Sequence, residues 1–245
     1  MFKWLKAAAG CGLALTVVLG LAFQYVRVQA ATSQTQRQVE PLVATKMSPV
    51  VVTKITHRDV RVQSGRFVKP RGALSDPVTP FLADDEWVQD LTVYLLNRTN
   101  QPIVCVVIDL TFPETTDLAT RFRAGSQVRF GRIPTAAAYE NGRPVPQLPE
   151  SQPILFQPGQ ILAVHLRDYI DKIKADVERA RPLAALTTIH VNFSMCYFAG
   201  GGLRWNGGYS VFDPQSHAWQ QIARGYFPGD PDIRWPGRSG WIDEQ

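Results

Sequence analysis

Charge and cysteine are both sparse in this sequence. Of 245 residues, 19% are charged and three are cysteine. Three cysteines exclude a disulfide-dense miniprotein. Low charge beside an apolar content of 45% excludes a disordered chain. Apolar runs sufficient for several membrane spans are missing. Ala7–Phe23 is the long uncharged run, at 17 residues, against the roughly 20 that a spanning helix needs. Strands do not alternate with helices, which excludes a doubly wound α/β fold. There is no P-loop, no G-x-G-x-x-G and no G-x-S-x-G nucleophile elbow. His57, His165, His190 and His217 form no HxxxH or HExxH pair. His190, Met195 and Cys196 are ligand types of a blue-copper centre. Adjacent residues on a strand face opposite ways, however, so no copper site is expected, nor any other cofactor.

What is present begins with an export signal. Lys3 and Lys6 precede the apolar run, and Val28-Gln29-Ala30 has the small or branched residues of a cleavage site. Residues 1–30 are therefore read as a signal peptide, or as a retained anchor tethering the chain to the membrane through residues 4–23. Either way the bulk of the chain is expected to be exported, to the periplasm or beyond the cell. Cys11 does not make a lipobox, because most of the apolar run follows it. The first thirty residues carry three basic and no acidic side chains. Without them 23 basic residues face 21 acidic ones, so the basic balance offers no case for nucleic-acid binding.

Residues 31–47 are polar without an apolar period and read as a linker. Residues 48–227 read as the folded domain, and 228–245 as an irregular tail rich in Pro, Gly and Trp. Within the domain, short β-branched runs begin at Val50, and Gly65 is a candidate bulge. Residues 70–86 read as a surface loop ending in the acidic triplet Asp84-Asp85-Glu86, a solvated face or a weak cation site. Trp87–Leu96 and Ile103–Phe112 read as a hairpin, the second strand having Val104, Val106, Ile108, Leu110 and Phe112 on one face. Ile170, Ile173, Val177 and Ala180 recur at helical spacing after Asp168, a candidate N-cap, which predicts a crossover helix near 168–181. Thr187–Phe198 alternates over its whole length, with Ile189, Val191, Phe193, Met195 and Tyr197 facing one way. Many short strands and one helix predict an all-β fold, an antiparallel immunoglobulin-like β-sandwich ahead of a small barrel.

Cys105 and Cys196 are the cysteines of the exported part. Export favours a disulfide between them. Yet the alternation puts both on the less apolar faces of their strands, which fits two free thiols equally. Trp205, Trp219, Trp235 and Trp241 crowd the last 41 residues with Arg204 and Arg234. Trp and Arg dominate binding hot spots, so these six are the candidate binding surface. The competing reading has Trp205 and Trp219 plugging the end of the sandwich. Asn97-Arg98-Thr99 and Asn192-Phe193-Ser194 match the glycosylation acceptor triplet.

Trp205-Asn206-Gly207-Gly208-Tyr209, then Asp213-Pro214, Trp219 and Ile222, form a W-x-G-G…D-P…W element. It resembles the end of uncharacterised exported bacterial proteins that combine a signal peptide, an immunoglobulin-like β-domain and a terminal hairpin. The resemblance implies architecture and no activity. One copy excludes a kelch propeller. The expectation is a non-enzymatic interaction or envelope-structure module with a protein or glycan partner in the cell envelope. The alternatives are a glycan- or ligand-binding module using the C-terminal Trp and Arg residues, and an envelope hydrolase with a dispersed site.

Overall fold

The computed structural model describes residues 34–42, 48–65, 78–117, 119, 123–134, 139–140, 143–144 and 152–222. Residues 1–30, read from the sequence as an export signal, and the tail 228–245, with Trp235, Trp241 and Arg234, lie outside the described residues. In chain order the strands are β1 (Thr35–Pro41), β2 (Val50–His57), β3 (Val60–Ser64), β4 (Phe81–Ala83), β5 (Leu91–Asn97), β6 (Ile103–Thr111), β7 (Gly125–Gly131), β8 (Tyr139–Glu140), β9 (Arg143–Pro144), β10 (Ile161–His165), β11 (Thr188–Phe198), β12 (Leu203–Trp205), β13 (Tyr209–Asp213) and β14 (Ala218–Gln221). The one α-helix among the described residues, α1, spans Ile170–Val177. The fold is all-β in class. Among the described residues no helix is long and apolar enough to cross a membrane.

Two sheets share one core. The smaller runs β10-β5-β2-β3 and is antiparallel throughout. The larger is built around β11, which β6 follows antiparallel along one edge, with β7 beyond it. The other edge of β11 is divided. Its first half takes β1 in parallel and its second half takes β12 antiparallel. β4 lies beyond β1, and β13 and β14 lie beyond β12. Val52, Ile55, Val93 and Leu95 from the small sheet meet Ile108, Leu110, Val191 and Phe193 from the large one in a single cluster. Each such fully buried aliphatic side chain contributes about 1.5–3 kcal/mol.

The segment Thr35–Pro41, polar enough to read as linker, is instead a strand within the large sheet. Only one face of β1 is buried, and that face carries Arg37, Val39 and Pro41. With an arginine among its three inward residues, the strand shows no apolar alternation. Arg37 is 1% exposed. Its guanidinium donates to the carbonyl oxygens of Ala184 and Leu186 and to Asp85 Oδ1, and lies 5.5 Å from the Trp87 ring centroid.

Trp87–Leu96 and Ile103–Phe112 do not form a hairpin. β5 belongs to the small sheet and β6 to the large one, so the connection crosses between layers. Asn97 locks that crossing. Its amide donates to the carbonyls of Gln101 and Phe156 at 2.9 Å and accepts from the Thr99 amide and hydroxyl. Asn97 is fully buried. The Asn97-Arg98-Thr99 triplet is thus a structural turn, with no room for a glycan on the folded chain.

The alternation in Thr188–Phe198 reverses part-way. Ile189, Val191 and Phe193 face the shared core, and so do Cys196 and Phe198. Tyr197 belongs to a second cluster on the opposite side of the sheet, with Met195 packed beside it. The cause is a β-bulge: the register with β6 shifts between Phe193 and Met195, leaving Ser194 as the extra residue. One inserted residue exchanges the two faces of everything after it. A second shift, opposite Tyr197/Phe198, does the same in β6, so Ile103 faces the core and Val104 the outer side.

The predicted helix is shorter than its pattern. Leu166–Tyr169 form a 3₁₀ turn, so Tyr169 stands at the N-cap position, and Asp168 makes no cap. Ile173 and Val177 are fully buried. Their burial, together about 3–6 kcal/mol, sustains eight residues that would not stay helical alone. Phe81–Ala83, within the segment read as loop, pairs with β1.

Candidate functional site

The hairpins β12–β13 and β13–β14 decide which aromatic residues reach the surface. Trp205 pairs with Cys196 on one side and Tyr209 on the other, all turned toward the shared core. It is 6% exposed and stacks on Phe193, the ring centroids 4.9 Å apart. Trp205 therefore leaves the candidate binding surface: it plugs the core, as the competing reading held. The W-x-G-G element has a local cause. Gly207 adopts φ +69°, a left-handed conformation that glycine takes without strain, and the turn brings Trp205 opposite Tyr209.

Arg204, one residue earlier, faces the outer side. Its Cζ lies 4.4 Å from the centroid of the Trp219 ring. Tyr197 meets that ring edge-on at 5.8 Å, and Phe212 leans on it at 5.3 Å. His217 follows at 6.4 Å from Phe212, with φ +50° in the turn. Asp213 holds this turn together: hydrogen bonds from the Ser216 hydroxyl and the Gln215 amide keep its carboxyl below the usual range. The structure thus joins two of the six candidates, Arg204 and Trp219, into one stacked pair on the outer face of the large sheet. Arg204 Nε and Nη1 are buried and make no hydrogen bond, so stacking holds the guanidinium.

Behind this pair lies the second apolar cluster, Cys105, Val107, Ile133 and Tyr197. Cys105 and Cys196 are both buried and free. Cys105 pairs with Tyr197, whereas Cys196 pairs with Val106. The two sulfurs thus project to opposite faces of one sheet, which a disulfide cannot bridge. Burial pushes the Cys105 thiol up to about 12 and the Cys196 thiol well above its ordinary value. Neutral buried thiols are inert. Unfolding the chain lacking residues 1–30 in denaturant without reductant is expected to expose two titratable thiols, with neither reacting promptly in the folded state. Zero thiols on unfolding contradicts this geometry.

Sequence reasoning missed a charged network at the other end of the small sheet. Asp90, its side chain 5% exposed, accepts from Arg58 Nε at 2.5 Å and Arg167 Nη2 at 2.6 Å. Burial alone would raise its carboxyl, but these two arginines hold it below the usual range. His57 stands 4.0 Å away, its pKa lowered by burial. Arg58 also binds Asp84 at 2.6 Å. The acids Asp84 and Asp85 are thus partners of Arg58 and Arg37. Residues this far apart in sequence carry no local signal of their pairing. Among the described residues no group of His, Cys, Asp and Glu is placed to hold a metal ion.

Comparison with known protein families, with curated proteins and with solved structures finds no match.

Proposed function

We propose that this chain is an exported immunoglobulin-like module that acts by binding a partner in the cell envelope, with Arg204 and Trp219 at the centre of the contact. Strand order supports the immunoglobulin-like part. β2-β5-β10 correspond to strands A-B-E of that fold, and β7-β6-β11-β12 to C′-C-F-G, in the same chain order. The Lys3/Lys6 start, the apolar run and Val28-Gln29-Ala30 support export.

The observation that carries the binding reading is the stacked pair. An indole braced by Tyr197 and Phe212 supplies a rigid anchor at low entropic cost. The guanidinium on it has two buried nitrogens, Nε and Nη1, that the fold leaves without a hydrogen bond. A stacked arginine keeps its planar fork for a carboxylate. It also covers the indole face on which a neutral sugar would lie. The pair therefore favours an acidic group on a protein partner over a neutral glycan.

Capture from the envelope fraction with the purified domain tests this, with a glycan array in parallel. Trp219→Ala and Arg204→Ala are each expected to weaken capture about 30-fold, as hot-spot truncations do, while thermal unfolding changes little. Undiminished capture by both variants refutes the assignment. Array binding lost in Trp219→Ala moves the assignment to a glycan. Trp205→Ala does not discriminate, because it opens the core.

A further inference from the structure

The described residues contain a concavity remote in sequence from the Arg204–Trp219 pair. It is a cleft of about 200 Å³ between the 84–90 turn and the outer side of α1. Val88, Leu183 and Ile170 form its floor; the first two are buried in the shared core and the third is packed against it. Glu86 and Gln89 line one wall and Lys174 and Glu178 the other, with Asp85 at the rim.

Size and charge together select an occupant. Drug-sized ligands need roughly 300–1,000 Å³, so this cleft takes one side chain. Its floor is apolar and its mouth carries three carboxylates against Lys174. Asp85 is already bonded to Arg37. That leaves Glu86, one oxygen of which accepts from Gln89 Nε2 at 2.6 Å, and Glu178, which line the cleft from two different elements. A long side chain with an aliphatic stem and a cationic head fits both parts: the stem lies on Val88 and Leu183, and the head stays at the wet rim between the carboxylates.

We infer that this cleft is a docking site for a single arginine or lysine side chain presented by a partner protein. Lys174 tunes the site: it offsets one carboxylate, four residues along the helix from Glu178. The site is separate from the Arg204–Trp219 surface and takes the opposite charge.

Methyl NMR of the full chain, titrated with n-butylguanidinium, tests the inference. Val88, Ile170 and Leu183 are expected to shift with saturation in the millimolar range, while Val128 stays still. n-Butanol, which has the stem without the charge, is expected to bind about tenfold more weakly, and Glu86→Gln with Glu178→Gln to weaken the guanidinium titration by roughly the same factor, as loss of two exposed charge pairs allows. Lys174→Gln is expected to tighten it. All three positions are exposed, so the variants fold, which circular dichroism checks. Equal responses to butanol and butylguanidinium overturn the inference. So does the absence of saturable shifts at Val88 and Leu183, or a double variant that binds as the parent does.

Discussion

Deleting Ser194 is expected to leave the domain cooperatively folded, and Ser194→Ala is expected to cost less than about 1 kcal/mol. The serine side chain gives one long hydrogen bond, Oγ to the Val107 carbonyl at 3.3 Å, worth at most about 1 kcal/mol. Its backbone is the residue in excess of the partner strand, inserted between Phe193 and Met195, which pair with the adjacent Ile108 and Val107. Removing it places Met195 directly after Phe193, in the regular alternation that keeps Cys196 and Phe198, both fully buried, in the shared core and Met195 and Tyr197 on the outer side. The β12 register is kept as well, because Trp205 stays opposite Cys196. Removing one large aromatic side chain from a core costs about 3–5 kcal/mol. A variant that turned Phe198 and Trp205 outward together would lose most of the roughly 5–15 kcal/mol by which a domain is stable, so cooperative folding of the deletion variant reports that the faces are kept. Thermal melts followed by near-ultraviolet circular dichroism read the result. A deletion variant with no cooperative transition would overturn the placement of the bulge at Ser194.

Arg37→Ala is expected to destabilise the domain by about 2–4 kcal/mol in urea unfolding, from stranded buried carbonyls and the lost packing of the stem. The guanidinium satisfies the carbonyls of Ala184 and Leu186 from inside the protein. A buried polar group left without a partner costs about 1–3 kcal/mol, and the contact with Trp87 is lost too. Arg37→Met keeps the stem and is expected to cost less than Arg37→Ala. Asp85→Asn is expected to cost under about 1 kcal/mol, because Asp85 is 62% exposed and water screens the pair. An Arg37→Ala variant within 1 kcal/mol of the parent would return β1 to the status of a dispensable linker.

These two expectations mark where sequence reading stops. The strand at Thr188–Phe198 was legible because side chains alternate with period two. The bulge inside it was not, because Ser194 differs little from any other polar position of an alternating strand. β1 was hidden for the converse reason: its inward face holds an arginine, and an alternation test scores that as exposed. The hairpin read from β5 and β6 failed at Asn97. A polar six-residue connection looks the same whether it turns within one sheet or crosses between two, and only the buried amide bonds of Asn97 to Gln101 and Phe156 distinguish them. Among the candidate site residues, Arg204 and Trp219 came together because β12 and β14 flank β13.

By itself the sequence determined the class of fold, the place of the strand Thr188–Phe198, a short helix near Ile170–Val177 and the W-x-G-G hairpin. Each of these follows from local periodicity, a turn glycine or the residues beside it. Only the tertiary structure decided which faces turn inward after Ser194, that Cys105 and Cys196 lie back to back across one sheet, that Trp205 is core while Trp219 is half-buried on the outer side, and that Arg37 is a buried strut. Those outcomes depend on register between strands far apart in the chain. Register is set by how whole faces pack, which no window of neighbouring residues contains.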